Sequence, residues 1–199
     1  MRRRPLPVSL AALCVLWAAP VLGTGWALAD ERRMAADAAS FAPADFKTQL
    51  ARHGRRLMQG VSDAFASEAG TRDAAAHRAA AARGARSLAE AIRRHTPFDE
   101  IAYQAGGVVH ELALAQAPLG AAPSDTSAGA RFLGFSAEPF APPEALLVAS
   151  LPSATARERY DAAVTLTRRL FAWVWKTAGG TASSVARCPA AKGPYVVRE

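Results

Sequence analysis

Apolar residues recur at helical spacing along most of this chain, and no stretch alternates regularly between apolar and polar residues as a strand would. The clearest pattern lies between Thr96 and Gly120, where Ile101, Ala105, Val108 and Leu112 share one stripe. This stripe predicts a helix of about twenty residues. It is the element around which the rest of the sequence is interpreted.

The two ends of this helix have recognisable signals. Thr96 is a predicted N-cap, Pro97 suits the first helical position, and Asp99 occupies the reciprocal capping position. Pro118 is the predicted end. These signals place His110 in the middle of the helix.

His110 follows two glycines, Gly106 and Gly107, each of which costs about 1 kcal/mol relative to alanine in a helix. Close approach of another helix or of a ligand would compensate for that cost. Two interpretations of His110 follow: a hydrogen-bonded core residue beneath a tight helix crossing, or a metal ligand.

Several other segments have helical spacing, and together they predict an all-α fold, a compact domain of about five or six helices. The region after Pro118 is rich in proline and predicts a long surface excursion. The further predicted helices are residues 30–41, a helix opened by Pro43 and ended by Gly60, residues 71–95, a short helix near 143–149, and a final helix through Tyr160 that stops at Gly179.

The remaining candidate polar residues have ordinary structural interpretations. His53 lies on the inward stripe of its helix and is predicted to be structural or exposed. Asp63 is predicted to lie in a loop after Gly60. His77 is one helical turn after Asp73, which predicts an exposed side-chain pair.

The amino-terminal segment 1–29 is typical of a secretory signal: three arginines, an apolar run and then small residues. Cleavage is predicted after Ala29, with cleavage after Gly25 as the alternative. Export to the periplasm or the medium follows, and residues 30–199 form one predicted domain without a transmembrane segment. The apolar run is short for a bilayer span.

Charge and cysteine content limit the classes of function. The formal charge of +7 falls by three to +4 when the signal arginines are removed, and the other arginines are scattered in pairs, so there is no specific nucleic-acid signal. Cys188 is the one cysteine outside the signal, so it is free or intermolecular. Nucleotide-binding glycine motifs, HExxH and CxxC do not occur.

The segment FDEIAYQAGGVVHELALAQAPLG resembles the central helix of the zinc-dependent phospholipase C and S1/P1 nuclease family, whose pattern is Y-x-x-G-x-x-x-H-x-x-x-D-x-x-x-P-x-H. Tyr103, Gly106, His110 and Pro118 fall in register. Trp26 and the closing helix also occur in the same order along the chain as the corresponding parts of that family. The resemblance implies a phospholipase C/P1 nuclease-like helical fold and a phospholipid or other phosphodiester substrate.

The resemblance also implies metal-ligating residues, since in that family zinc ions activate water and hold the phosphate. Asp63, His77 and His110 correspond to family ligands, and Asp63 is the expected catalytic residue. Trp26 corresponds to the amino-terminal ligand, and Glu31 stands in the position of a ligand histidine.

Two departures from the pattern limit the activity that the resemblance implies. Leu114 replaces the metal-bridging aspartate, and Gly120 replaces a second histidine. The expectation is therefore a residual site for one zinc ion at Asp63, His77 and His110, with weak or lost phosphodiester hydrolase activity. The alternative is a non-catalytic helical interaction or structural protein of the periplasm.

Overall fold

The computed structural model describes residues 25–68, 73–117, 142–147 and 155–180. These ranges hold seven helices and no strand, so the all-α prediction is confirmed and the predicted number of helices is too low. The helices are α1 (Leu28–Ser40), α2 (Ala44–Arg52), α3 (Gly54–Ser67), α4 (Ala74–Arg93), α5 (Phe98–Ala115), α6 (Pro143–Leu146) and α7 (Ala156–Thr177).

The extra helix arises because the segment after Pro43 divides at His53 into α2 and α3. Gly60 does not end α3, which continues to Ser67. The prediction of a loop around Asp63 is therefore wrong, and Asp63 is helical. A helix can contain glycine in its interior when tertiary packing outweighs the low helix propensity of glycine.

The packing that retains Gly60 is a close crossing of α3 and α5. A Cβ atom on Gly60 would overlap the carbonyl oxygen of Tyr103, and one on Gly106 would overlap that of Leu57. The predicted close approach is thus observed at Gly106. Gly107 meets nothing within 4 Å at its Cβ position, so the two adjacent glycines have different roles.

The start of α5 differs from the sequence prediction. The N-cap is Pro97, not Thr96, and no side chain caps the helix. His95 adopts a left-handed conformation, with φ at 58°, and turns the chain between α4 and α5. Helix α4 has the better cap, because Asp73 Oδ1 accepts a hydrogen bond from the Ala76 amide at 2.7 Å.

Helix α7 completes the core with the wide apolar face that the sequence predicted. Its start is fixed by a reciprocal capping box between Thr155 and Glu158. Tyr160 is fully buried and meets the edge of the Trp26 ring, with centroids 6.1 Å apart. None of the described helices has the combination of length and apolarity that crossing a membrane requires.

Candidate functional site

His110 lies in the core between carboxylates from two other helices. Its Nδ1 is 2.7 Å from Glu31 Oε2 on α1, and its Nε2 is 3.3 Å from Oε2 of Glu68, which follows the last residue of α3. His110 is 2% exposed and Glu31 0% exposed. The ring edge of Phe65 also meets the His110 ring, with centroids 6.4 Å apart. We refer to Glu31, Glu68 and His110 as the histidine–carboxylate centre.

The electrostatics of this centre favour bound protons. Burial alone would lower the pKa of His110, but the hydrogen bond and charge of Glu31, with help from Glu68 and Glu111, raise it overall. Burial raises the pKa of Glu31, and the hydrogen bond and charge of His110 offset only part of that rise. We therefore expect His110 to be cationic more often than a solvated histidine at neutral pH.

A second histidine–carboxylate pair lies beside the first. His77 Nδ1 is 2.8 Å from Glu111 Oε2, and Glu111 follows His110 on α5. The predicted exposed pair of Asp73 and His77 is wrong, because Asp73 caps α4 and His77 is 5% exposed. The pair connects the first turn of α4 to the carboxyl-terminal half of α5.

Asp63 has other partners. Its Oδ2 accepts from Gln59 Nε2 at 3.4 Å, and its hydrogen bond to Tyr103 is the main reason that the pKa of Tyr103 is raised. Asp63 is exposed on α3. The three residues predicted to share one zinc ion, Asp63, His77 and His110, therefore each have a different set of side-chain partners.

The predicted amino-terminal ligands lie in different surroundings. Trp26 is 4% exposed, and its indole Nε1 donates to the Ala113 carbonyl oxygen at 3.0 Å. Its ring is thus a core residue that fixes the start of α1 against α5. Leu114, which occupies the position of the bridging aspartate, is half-buried one turn after His110, whereas Gly120 lies outside the described residues.

The donor geometry does not match a preassembled zinc site. In the described part of the chain, no three or more histidine, cysteine, aspartate or glutamate residues are placed to hold a metal ion. Two ligands of a tetrahedral zinc ion stand roughly 3.3 Å apart, given zinc–ligand distances of about 2.0–2.2 Å. The 2.7 Å between His110 Nδ1 and Glu31 Oε2 is instead a hydrogen-bond distance.

Sequence reasoning selected His110 and Glu31 but did not relate them, and it missed Glu68 and Glu111. Glu111 had a local signal, because it adjoins His110 in the sequence. Glu68 had no such sequence signal, because α3 was expected to end at Gly60. Only the extension of that helix brings Glu68 to the ring.

No protein-family model, curated protein or solved structure matches this chain.

Proposed function

We propose that this chain is an exported helical protein of phospholipase C/P1 nuclease type that has weak or no phosphodiester hydrolase activity. In it, the histidine–carboxylate centre joins helices instead of assembling a zinc cluster. The observation that supports this proposal is the position of His110, whose two ring nitrogens each face a carboxylate. A histidine binds zinc through the lone pair of a neutral ring nitrogen. Both nitrogens of His110 have a competing partner.

The histidine–carboxylate centre connects α5 to neighbouring helices. Glu31 brings α1 to His110, and Glu68 brings the end of α3 to the same ring. The neighbouring pair of His77 and Glu111 attaches α4. One turn of α5 therefore contacts three other helices through histidine–carboxylate hydrogen bonds, and a hydrogen bond to an ionised group is stronger than a neutral one.

A residual one-ion site is the competing function, and one observation favours it. Glu31 Oε1 is buried and has no hydrogen-bond partner among the described residues. An unsatisfied buried carboxylate oxygen costs free energy unless something binds it. In a metal-binding form, Glu31 Oε1 would be available to the ion, whereas His110 Nδ1 would join it only by giving up its contact with Glu31 Oε2.

Metal content and turnover test the two functions. The full exported chain, produced in zinc-supplemented medium and dialysed, should contain far less than one zinc per chain. It should hydrolyse neither phosphatidylcholine nor bis-p-nitrophenyl phosphate at enzymatic rates. One tightly held zinc per chain, or turnover of about 1 per second or faster, would instead establish the hydrolase.

A further inference from the structure

An open groove lies between α1 and α3, and none of Glu31, Glu68 and His110 lines it. Its volume is about 640 Å³, within the range of small-ligand sites. Two arginines and a methionine contribute the largest side chains. The lining residues are Arg32, Gly54, Arg55, Met58, Gln59 and Ser62.

Within the described residues, the side-chain partner of Arg32 is a hydroxyl and not an acid. Its Nε and Nη2 donate to Ser62 Oγ at 3.2 and 2.8 Å, and that hydroxyl donates to the Met58 carbonyl oxygen at 2.6 Å. A guanidinium has five N–H donors, so most of the fork remains for another acceptor. The positive charge of Arg32 is oriented by Ser62 but not neutralised by it.

Arg55 adds a second charge at the first turn of α3. It is exposed, and no carboxylate contacts it within residues 25–68 or the other described ranges. Helix α3 begins at Gly54, which lines the groove and has no side-chain cap before it, so the positive end of the helix lies beside the groove. Arginines prefer phosphate and carboxylate partners, because their planar fork matches two oxygens.

Phe65 does not line the groove and one side of its ring meets His110, but it lies one helical turn after the lining residue Ser62 and indicates which anion fits. Met58, Ser62 and Phe65 recur on one face of α3 at spacings of four and three residues. Phe65 is 37% exposed, and it is the exposed large hydrophobic residue of the described ranges. Arginines beside an exposed aromatic suit a membrane surface, where charge meets headgroups and the ring meets the acyl boundary.

We propose that the groove between α1 and α3 binds the phosphate headgroup of an anionic phospholipid, with Arg32 and Arg55 on the phosphate and Phe65 at the membrane surface. Lipid binding at this groove requires neither zinc nor hydrolysis, so it can be tested independently of the proposed function.

Vesicle co-sedimentation of the full chain tests the proposal. We expect binding to vesicles that contain phosphatidylglycerol and little binding to phosphatidylcholine alone. Arg32→Gln and Arg55→Gln should each weaken binding about fivefold, since a basic residue near an anionic surface contributes about 1 kcal/mol. Arg55 contacts no acid among the described residues, so we expect its replacement to leave the urea unfolding midpoint unchanged.

The matched control is Arg83→Gln, which removes the same charge from an exposed position on α4. Its binding should equal that of the wild type. Equal losses in Arg83→Gln and Arg55→Gln would overturn the proposal in favour of general charge attraction. Efficient competition by soluble glycerol phosphate would also overturn it, because the groove would then be a site for a free phosphate ester.

Discussion

Glu31 and His110 are separated by 79 positions in the sequence, yet their side chains meet at 2.7 Å in the core. Neither residue has more than 3% of its side chain exposed. A charged pair at this depth depends on both partners, because removing one leaves the other buried without compensation. The contact therefore couples the position of α1 to that of α5.

Replacing only one of Glu31 and His110 should lower the free energy of unfolding much more than replacing both. Glu31→Leu should lower the free energy of unfolding by about 3–5 kcal/mol, whereas the double variant Glu31→Leu/His110→Leu should recover most of that loss. Urea denaturation measures both. The exposed control Glu144→Gln, which loses the ion pair with Arg86, should cost less than about 1 kcal/mol. Additive effects of the two leucine substitutions would contradict the coupling of Glu31 to His110.

The stability of the protein should fall as the pH rises through the folded pKa of His110. Because that pKa is raised, the contribution of His110 is complete below about pH 6.5 and is lost above it. The raised pKa of Glu31 acts in the same direction from about pH 4.5 upward. His110→Gln should show a smaller decline in urea midpoint above neutral pH than the wild type. A wild-type midpoint that rises over this window would refute the expectation.

Alanine substitutions at the adjacent glycines of α5 should have opposite effects on the stability of the protein. Gly106→Ala should destabilise the protein by about 1–3 kcal/mol, because the added methyl group overlaps the Leu57 carbonyl oxygen across the helix crossing. Gly107→Ala should stabilise it by about 1 kcal/mol, because its Cβ position is open and alanine is the better helix former. Thermal unfolding of the two variants compares them directly. Similar effects at both positions would show that α3 and α5 leave room for a methyl group at Gly106.

Restoring the bridging carboxylate tests the register of the family resemblance. Leu114→Asp places a carboxylate one helical turn after His110, and combined with Gly120→His it should raise the zinc content per chain above that of the wild type. Gln104→Asp, also on α5, adds the same charge elsewhere and should not change the zinc content. An unchanged zinc content in the restored variant would count against the register.

On the hypothesis that the amino-terminal segment is a secretory signal, we expect the processed chain to begin at Trp26. Cleavage after Ala29, which the sequence pattern favours, would remove the buried Trp26 ring and its hydrogen bond to Ala113, as well as the first residues of α1. Loss of a buried tryptophan side chain typically costs about 3–5 kcal/mol. Intact-mass measurement of the exported protein decides between the two sites, and a chain that begins at Asp30 would show that Trp26 is dispensable.

The sequence by itself determined the helical character of the chain and most of the α1, α4, α5 and α7 segments. Apolar spacing is a local property, and Met34, Leu88 and Phe171 are buried because their helices present one apolar face. The requirement for close packing at Gly106 was also local, because glycine is costly in a helix unless something compensates.

Only the tertiary structure decided where the polar groups point. Gly60 could have ended α3, but the fit of its backbone against Tyr103 keeps the helix intact and carries Glu68 to His110. The family resemblance assigned Asp63 and His77 to a common site, yet Asp63 bonds to Gln59 and Tyr103, and His77 bonds to Glu111. Helical spacing specifies which face of each helix is buried, but the partner of each buried charge depends on which helices cross there and at what distance.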